Sequence, residues 1–545
     1  MQGAVSNRSM VWLRGIFLAA AVASIMNYVV LSWHWPMMWD APVMRYVNFL
    51  MDHGMQPYSQ IGDMNMPGAY LTDRWATWVF GQSDAGSRLF EFFEMGLLIA
   101  ASIATAGRRL WFGGFYAAAF FVVMHASEGP LVATERDELV MVLIVIAFAF
   151  LFQSVRRSMP SLMIPFGVAM ALAASVKPTI APLELLLLGL MILELRRRSE
   201  RWLPSVLWAL AGTAIITAVI LDFFLRHHAI GPFLLLVRTV LPSYATMNHP
   251  SFWAMSRQLL PITVLLILPF AAIAAVQTRS WVGWEEKALA AGAAIGAFSY
   301  LAQGKGFIYH RYLFVMLLLL CAGKALDAAM RSGERSGERS RRAVGATGVA
   351  LTLLLVLPYY VFLAHHWQST RLQENAMAVS IESDLTRLGG DKLQSNVQCF
   401  DLVGGCLNAL YHLRLVQRTG TTGDMLFFSP VEGPEVKAAR KSYWAATRNN
   451  PPEVIVLGNE WFQGTHNNFS KIDTWPELAE YMQANYKLVA TRTFSPKMQE
   501  ADAKDPVAPA YRIYLLRGSP LDPSDAPLRA IQDAHPSPVA TGSRK

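Results

Sequence analysis

Charged side chains are scarce in this sequence: 16 % of its 545 residues are Asp, Glu, Lys or Arg, whereas 53 % are hydrophobic. One soluble domain of that composition could not cover its surface with polar groups, so that class is excluded. Cysteine is rarer still, with three in the chain, too few for a fold stapled by disulfides. No glycine-rich fingerprint follows a strand, and no nucleotide-sugar site is needed. No two-fold internal repeat is visible, although many transporters are built on one. The first apolar block ends in Trp33, His34 and Trp35 and lacks a small-residue cleavage site, so it reads as a retained span and not as a removed signal peptide.

What the sequence does contain is long apolar blocks. Eleven are expected to cross a bilayer, near residues 11–33, 86–106, 111–126, 137–153, 161–176, 179–195, 203–225, 257–276, 286–302, 307–323 and 343–364. Every second connection is basic: Arg108 and Arg109; Arg156 and Arg157; Arg196 to Arg201; Arg279 and Lys287; and the repetitive stretch from Arg331 to Arg342. Lys and Arg resist translocation during insertion, so these loops and the N-terminus are expected inside, and everything after Ala364 outside. The expected address is a bacterial inner membrane, with the C-terminal domain in the periplasm. The formal charge of +8 then reflects topology, and no nucleic-acid partner is needed to explain it.

The first external loop, 34–85, carries more chemistry than a connector requires. Asp40 lies about one helical turn past the end of the first block, at the membrane surface, where a charge needs work or a partner. Asp63 precedes the turn-like Asn65, Met66, Pro67, Gly68, and Tyr58 follows Pro57; the segments Ala41 to His53 and Tyr70 to Gly81 have the spacing of two interfacial helices. In the next external connection Glu135, Arg136, Asp137 and Glu138 crowd one turn. Helix capping by Thr134 and the helix dipole account for Asp137 and Glu138. They do not account for Arg136, a cation on the side that topology depletes of cations. Lys177 beside Pro178, and Lys305 between Gly304 and Gly306 ahead of His310 and Arg311, share that property. Freed backbone amides next to a lysine make an anion cradle. The aromatic, amphipathic segment between Arg226 and Arg257 is expected to lie along the membrane face and wall a groove for lipid chains.

The pattern past residue 364 changes to a small, partly parallel α/β unit over 365–518. Its expected strands are Val397 to Val403, Glu453 to Leu457, Tyr486 to Phe494 and Tyr511 to Leu516. Helices are expected over Arg371 to Leu388, Cys406 to Val416, Pro434 to Thr447 and Thr474 to Ala484. Cys399 and Cys406 fall here, where a disulfide could persist, whereas Cys321 lies in a span. Residues 519–545 lack periodicity and read as a disordered tail.

Taken in order, Asp40 after the first span, the loop PYSQIGDMNMPG, the turn ATERDEL, the KPT break and QGKGFIYHR resemble the GT-C class of integral-membrane glycosyltransferases, and within it bacterial relatives of the protein O-mannosyltransferases and the lipid A aminoarabinose transferases. The resemblance covers about residues 11–364, a polytopic helical module, with the α/β unit appended. It implies transfer of a hexosyl or pentosyl group, with inversion, from a polyprenyl-phosphate-linked donor to an external lipid or envelope glycan. It also implies a catalytic acid at Asp40 and a second at Asp137, with Glu138 adjacent. Asp40 is followed by Ala41, so the paired acids of the protein mannosyltransferases are absent, which argues against a protein acceptor. Asp40 would be the base. Lys305, Lys177, Arg136, His310 and Arg311 would meet the donor phosphate, with Asp63, Asn65 and Tyr58 serving the acceptor side. Asp137 or Glu138 would orient the acceptor, an arginine or a divalent metal; no other cofactor is called for. The rival class is a transporter or lipid-carrier flippase, since intramembrane charges and broken helices also mark transport pathways. A signalling or structural role centred on the C-terminal unit is a further alternative, but that unit shows no nucleophile paired with a base.

The sidedness is directly testable. A reporter enzyme that matures only in an oxidising external compartment should be active when fused after Gly518. An inactive, well-expressed fusion would reverse the orientation.

Overall fold

A computed structural model of the chain describes residues 2–246, 250–332, 339–371, 374–401, 404–461, 468–494 and 508–521. The middle of the repetitive basic stretch, 333–338, and the expected tail from residue 522 onward lie outside the described residues. The chain is mostly helical. Helix α1 (Gln2–Ser32) is followed by α2 (Asp40–Asp52), α3 (Pro67–Phe80), α4 (Asp84–Ala106), α5 (Trp111–Glu128), α6 (Arg136–Arg157), α7 (Met163–Val176), α8 (Ala181–Arg197) and α9 (Leu203–Arg226). Then come α10 (Ile230–Thr246), α11 (Phe252–Leu259), α12 (Ile262–Thr278), α13 (Trp284–Gln303) and α14 (Tyr312–Arg331). The bundle closes with α15 (Arg339–Leu351) and α16 (Leu357–Arg371). A π-helical turn, Thr352–Val356, joins the last two just before Pro358, and the Thr352 hydroxyl there is 2.6 Å from the Tyr116 hydroxyl.

Each of the eleven apolar blocks is helical. Among the described residues, seven helices are long and apolar enough to cross a membrane, or eight if the pair α11 and α12, bent by 62°, forms one span. The three blocks that fall short are α5, α7 and α13, so length and composition do not yield eleven. Packing explains α5: every residue from Phe112 to Ser127 is buried by neighbouring helices, so it faces protein and not lipid. It crosses α14 where Gly113 and Gly323 bring the two backbones together; a Cβ on either would collide with the other's carbonyl oxygen. Small residues at crossings replace the hydrophobic drive that lipid removes.

Polar contacts collect at the two ends of the bundle. At one end Arg14 pairs with Asp327 at 2.6 Å, and Arg156 and Lys324 reach Glu285 at 2.5 and 3.1 Å. The other end carries α2, α3 and the C-terminal unit. That unit holds strands β2 (Val397–Phe400), β4 (Val454–Gly458), β5 (Tyr486–Thr493) and β6 (Ala510–Leu516) in the order β2-β4-β6-β5, with β2 and β4 parallel and the other pairings antiparallel. Helices α17 (Glu374–Leu388), α18 (Cys406–His412), α19 (Pro434–Thr447) and α20 (Pro476–Asn485) complete it. Cys399 and Cys406 are joined by a disulfide that ties the end of β2 to the start of α18.

The unit is anchored on the first loop. Strand β1 (Ile61–Gly62) of the loop pairs in parallel with β3 (Gly420–Thr421) of the unit. The Tyr46 hydroxyl donates to the Leu415 carbonyl at 2.9 Å and accepts from the Gln417 amide at 2.8 Å. Arg414 donates to Gln82 at 2.6 Å, and Asn408 to the Met37 carbonyl at 3.2 Å. Neither two-residue strand has the length or alternation that would reveal it in sequence.

Thiol labelling of the denatured, unreduced protein should therefore find Cys321 alone reactive. Replacing Cys399 and Cys406 by serine should destabilise the C-terminal unit by about 2–4 kcal/mol, read from its unfolding transition.

Candidate active site

Asp40 is the first residue of α2, and the preceding residue, Trp39, has φ 52 and ψ −113. Tyr58 and Thr134 also take positive φ, 64° and 62°. Such conformations in non-glycine residues cost of order ~1–3 kcal/mol each and persist only where the surroundings over-determine them. All three flank the same network. Asp40 Oδ2 lies 2.5 Å from Arg136 Nη2, an ion pair between the start of α2 and the start of α6. The other arm of the Arg136 fork donates to Asn65 Oδ1. Asn65 in turn donates to both oxygens of Asp63, at 2.8 and 3.0 Å. Tyr70 donates to Asp63 at 2.6 Å, and Tyr58 to the Asn65 carbonyl at 2.8 Å. Burial raises the Asp63 carboxyl above its ordinary value, against the pull of Tyr70 and Asn65.

A second constellation starts one residue further along α6. Asp137 accepts from Lys177, which stands at the break between α7 and the turn leading into α8, and His310 Nε2 is 3.8 Å from the other Asp137 oxygen. Burial lowers the Lys177 ammonium below the usual lysine range, and Asp137 pulls it back. Lys305 sits between Gly304 and Gly306, with φ 64° and 69°, a conformation that favours glycine. Its ammonium donates to the Tyr244 carbonyl at 2.6 Å and lies 4.3 Å from the centre of the Tyr244 ring. Burial brings the Lys305 ammonium down to about 8. Arg311 turns aside to Glu128, at 2.8 Å.

Glu135 and Glu138 are adjacent to these groups in sequence but are oriented differently. Glu138 is fully buried among the helices, accepting from the Thr134 amide at 3.1 Å and lying 3.7 Å from His125 Nε2. Asp137 and Glu138, inseparable in the sequence, therefore face different neighbours from adjacent positions of α6. Glu135 is buried, and its carboxylate faces the backbone amide of Asp40 at the start of α2. Burial, reinforced by the Asp40 charge, pushes its carboxyl well above the usual range. It lines a small recess of about 40 Å³, partly open to solvent, together with Arg45, Asp73, Ser87, Glu94 and Arg136. Ser87 Oγ, one oxygen of Glu94 and Arg136 Nε lack partners. Sequence reasoning did not single out Glu91, Glu94 or His125, which form with Glu138 a buried cluster. Acids inside the apolar block 86–106 were the available signal, because ionisable groups in a span are costly unless functional.

No protein-family model matches the chain, and no curated protein matches its sequence. Solved structures do. ArnT from Cupriavidus metallidurans bound to undecaprenyl phosphate aligns with a TM-score of 0.53 at 15 % identity, over 92 % of this chain and 98 % of that one. Its apo structure aligns equally well, with TM-score 0.53 at 14 % identity over the same shares. The apo oligosaccharyltransferase of Archaeoglobus fulgidus reaches 0.50 at 10 % identity, over 82 % of this chain and 70 % of that one. The chain thus shares the fold of these structures, built from several apolar helices with a small sheet region at its C-terminal end.

Asp137→Asn would leave the buried Lys177 ammonium without its carboxylate. A loss of about 3–5 kcal/mol is expected for stranding a buried charge, visible as a lowered unfolding midpoint. Lys177→Met with Asp137→Asn should recover much of it.

Proposed function

We propose that the chain is a membrane glycosyltransferase that moves a sugar from a polyprenyl-phosphate-linked donor to a hydroxyl of a lipid or envelope glycan. The observation that carries this reading is the meeting, at one end of an apolar bundle, of a partly exposed carboxylate gripped by an arginine and a set of cations suited to an anionic headgroup. The bound undecaprenyl phosphate of ArnT, a protein of the same fold, supports a carrier of that class. The site end and the C-terminal unit would face the periplasm, and the unit, over 365–518, would act as a lid or acceptor-docking module on the first loop.

The chemistry follows from the two constellations. Asp40 takes the proton of the acceptor hydroxyl, and that oxygen bonds to the anomeric carbon as the carbon–oxygen bond to the carrier phosphate breaks, with inversion. Arg136 fixes the Asp40 carboxylate through one arm of its fork while Asn65 fixes the other. Negative charge grows on the departing phosphate, and Lys305, with His310 and Lys177 nearby, would stabilise it. Glu135 and the one unpartnered oxygen of Glu94 line the recess and would suit hydroxyl donors of a sugar ring. Asp63, Asn65 and Tyr58 hold the loop that would guide the acceptor.

Asp40→Asn keeps the shape and can still accept from Arg136, but it cannot take a proton at neutral pH. Transfer should fall by about 10² or more while donor binding and folding persist. Near-normal single-turnover transfer in a well-folded variant would remove Asp40 as the base. Lys305 is cationic below about pH 8 and neutral above it, so carrier affinity should weaken as pH rises through that value. Lys305→Ala should lower affinity and flatten the step.

A further inference from the structure

We propose that Glu91, His125 and Glu138 hold a divalent cation of the zinc class beneath the candidate active site. The three side chains come from α4, α5 and α6, all buried, and offer one ligand atom each within 4.8 Å of one another. His125 Nε2 is 2.9 Å from Glu91 Oε1 and 3.7 Å from Glu138 Oε2. Bonds of ~2.0–2.1 Å in a tetrahedral site set ligands about 3.3–3.4 Å apart, a spacing that those two distances bracket.

The hydrogens around His125 can be assigned by elimination. Arg311 donates to Glu128 at 2.8 Å, so Glu128 is a carboxylate and only accepts. Tyr312 therefore spends its one hydrogen on Glu128 Oε2, at 2.5 Å. His125 Nδ1, 2.9 Å from the Tyr312 oxygen, must then be the donor of that pair. Its Nε2 is left pointing at two carboxylates, the arrangement behind a metal-bound imidazole whose outer nitrogen is fixed by a second shell. Glu138 Oε1 is buried without a partner, as is one oxygen of the neighbouring Glu94. Charge counting agrees. Glu91, Glu94 and Glu138 are opposed among these groups by Arg88, which pairs with Glu91 at 2.5 Å. With all three carboxylates ionised and the imidazole neutral, an excess of two negative charges would remain, which a divalent ion would balance. Two carboxylates and one imidazole suit zinc or manganese; calcium and magnesium ask for more oxygens. Glu94 borders the recess and gives the ion a route in. The ion would pin the ends of three helices, with Tyr28 of α1 and Tyr312 of α14 bonded to its ligands.

The alternative filling is protons, an imidazolium beside a protonated glutamate, and metal content separates the two. Full-length protein without a histidine tag, in detergent, is stripped with a chelator, equilibrated with Zn²⁺ or Co²⁺ and freed of excess ion. Elemental analysis should find about one ion per chain, and cobalt should give visible bands of a four-coordinate site. Glu138→Gln and His125→Gln should abolish both signals, and Tyr312→Phe, milder for folding, should weaken affinity by about 10-fold or more. Asp40→Asn should retain the ion. Folded wild-type protein that takes up none would overturn the assignment. So would an ion that survives Glu138→Gln and leaves with Asp40→Asn.

Discussion

A guanidinium at the first turn of a helix, at the rim of an apolar bundle, is unfavourable twice over: it faces the positive end of the helix dipole and it is drawn out of water. Arg136 is in that position and is tolerated because Asp40 and Asn65 take up its fork. The pair connects elements that share no helix: α2, the loop with Asp63, and α6. Loss of the Asp40 side chain would leave one arm of the Arg136 fork without an acceptor, so the first loop is held in register with the bundle by an interaction that is also the centre of the proposed chemistry. The strained backbone at Trp39 and Thr134, just before the starts of α2 and α6, fits that requirement.

From this pair the rest of the site end follows in layers. Asp137, next to Arg136, fixes the α7–α8 break through Lys177. Glu138, one residue on, faces inward to His125, whose ring reaches α14 through Tyr312. One turn of α6 thus serves the proposed reaction surface above and a charged cluster below. The C-terminal unit adds a third layer, since β1 pairs with β3 and Tyr46 is bonded to Leu415 and Gln417. Motion of that unit would move the loop that carries Asp63 and Asn65.

Much of this was legible in the chain itself. Apolar blocks located the helices, because a run of side chains with nothing to offer water has to be buried whichever way it packs. Cations in the loops expected to lie outside drew attention to Arg136, Lys177 and Lys305, because the expected topology gave them no reason to be there. Alternation and turn residues located the four longer strands of the C-terminal unit, three of them within about two residues of the observed bounds; the strand expected over Val397 to Val403 runs only to Phe400, and 402–403 lie outside the described residues.

Sequence by itself determined that the chain is an apolar helical bundle with a small α/β unit at its end, because composition and periodicity are local properties. It also marked Arg136, Lys177 and Lys305 as charges that require a partner, though not Glu91, Glu94 or His125. Tertiary structure alone decided who those partners are. Asp40 meets Arg136 across 96 residues and Tyr46 meets Leu415 across 369, and no local pattern encodes such a distance. It also separated Asp137 from Glu138, since successive residues on a helix differ by about 100° in direction, and only the packing around α6 says which direction is the reaction surface and which is the buried interior.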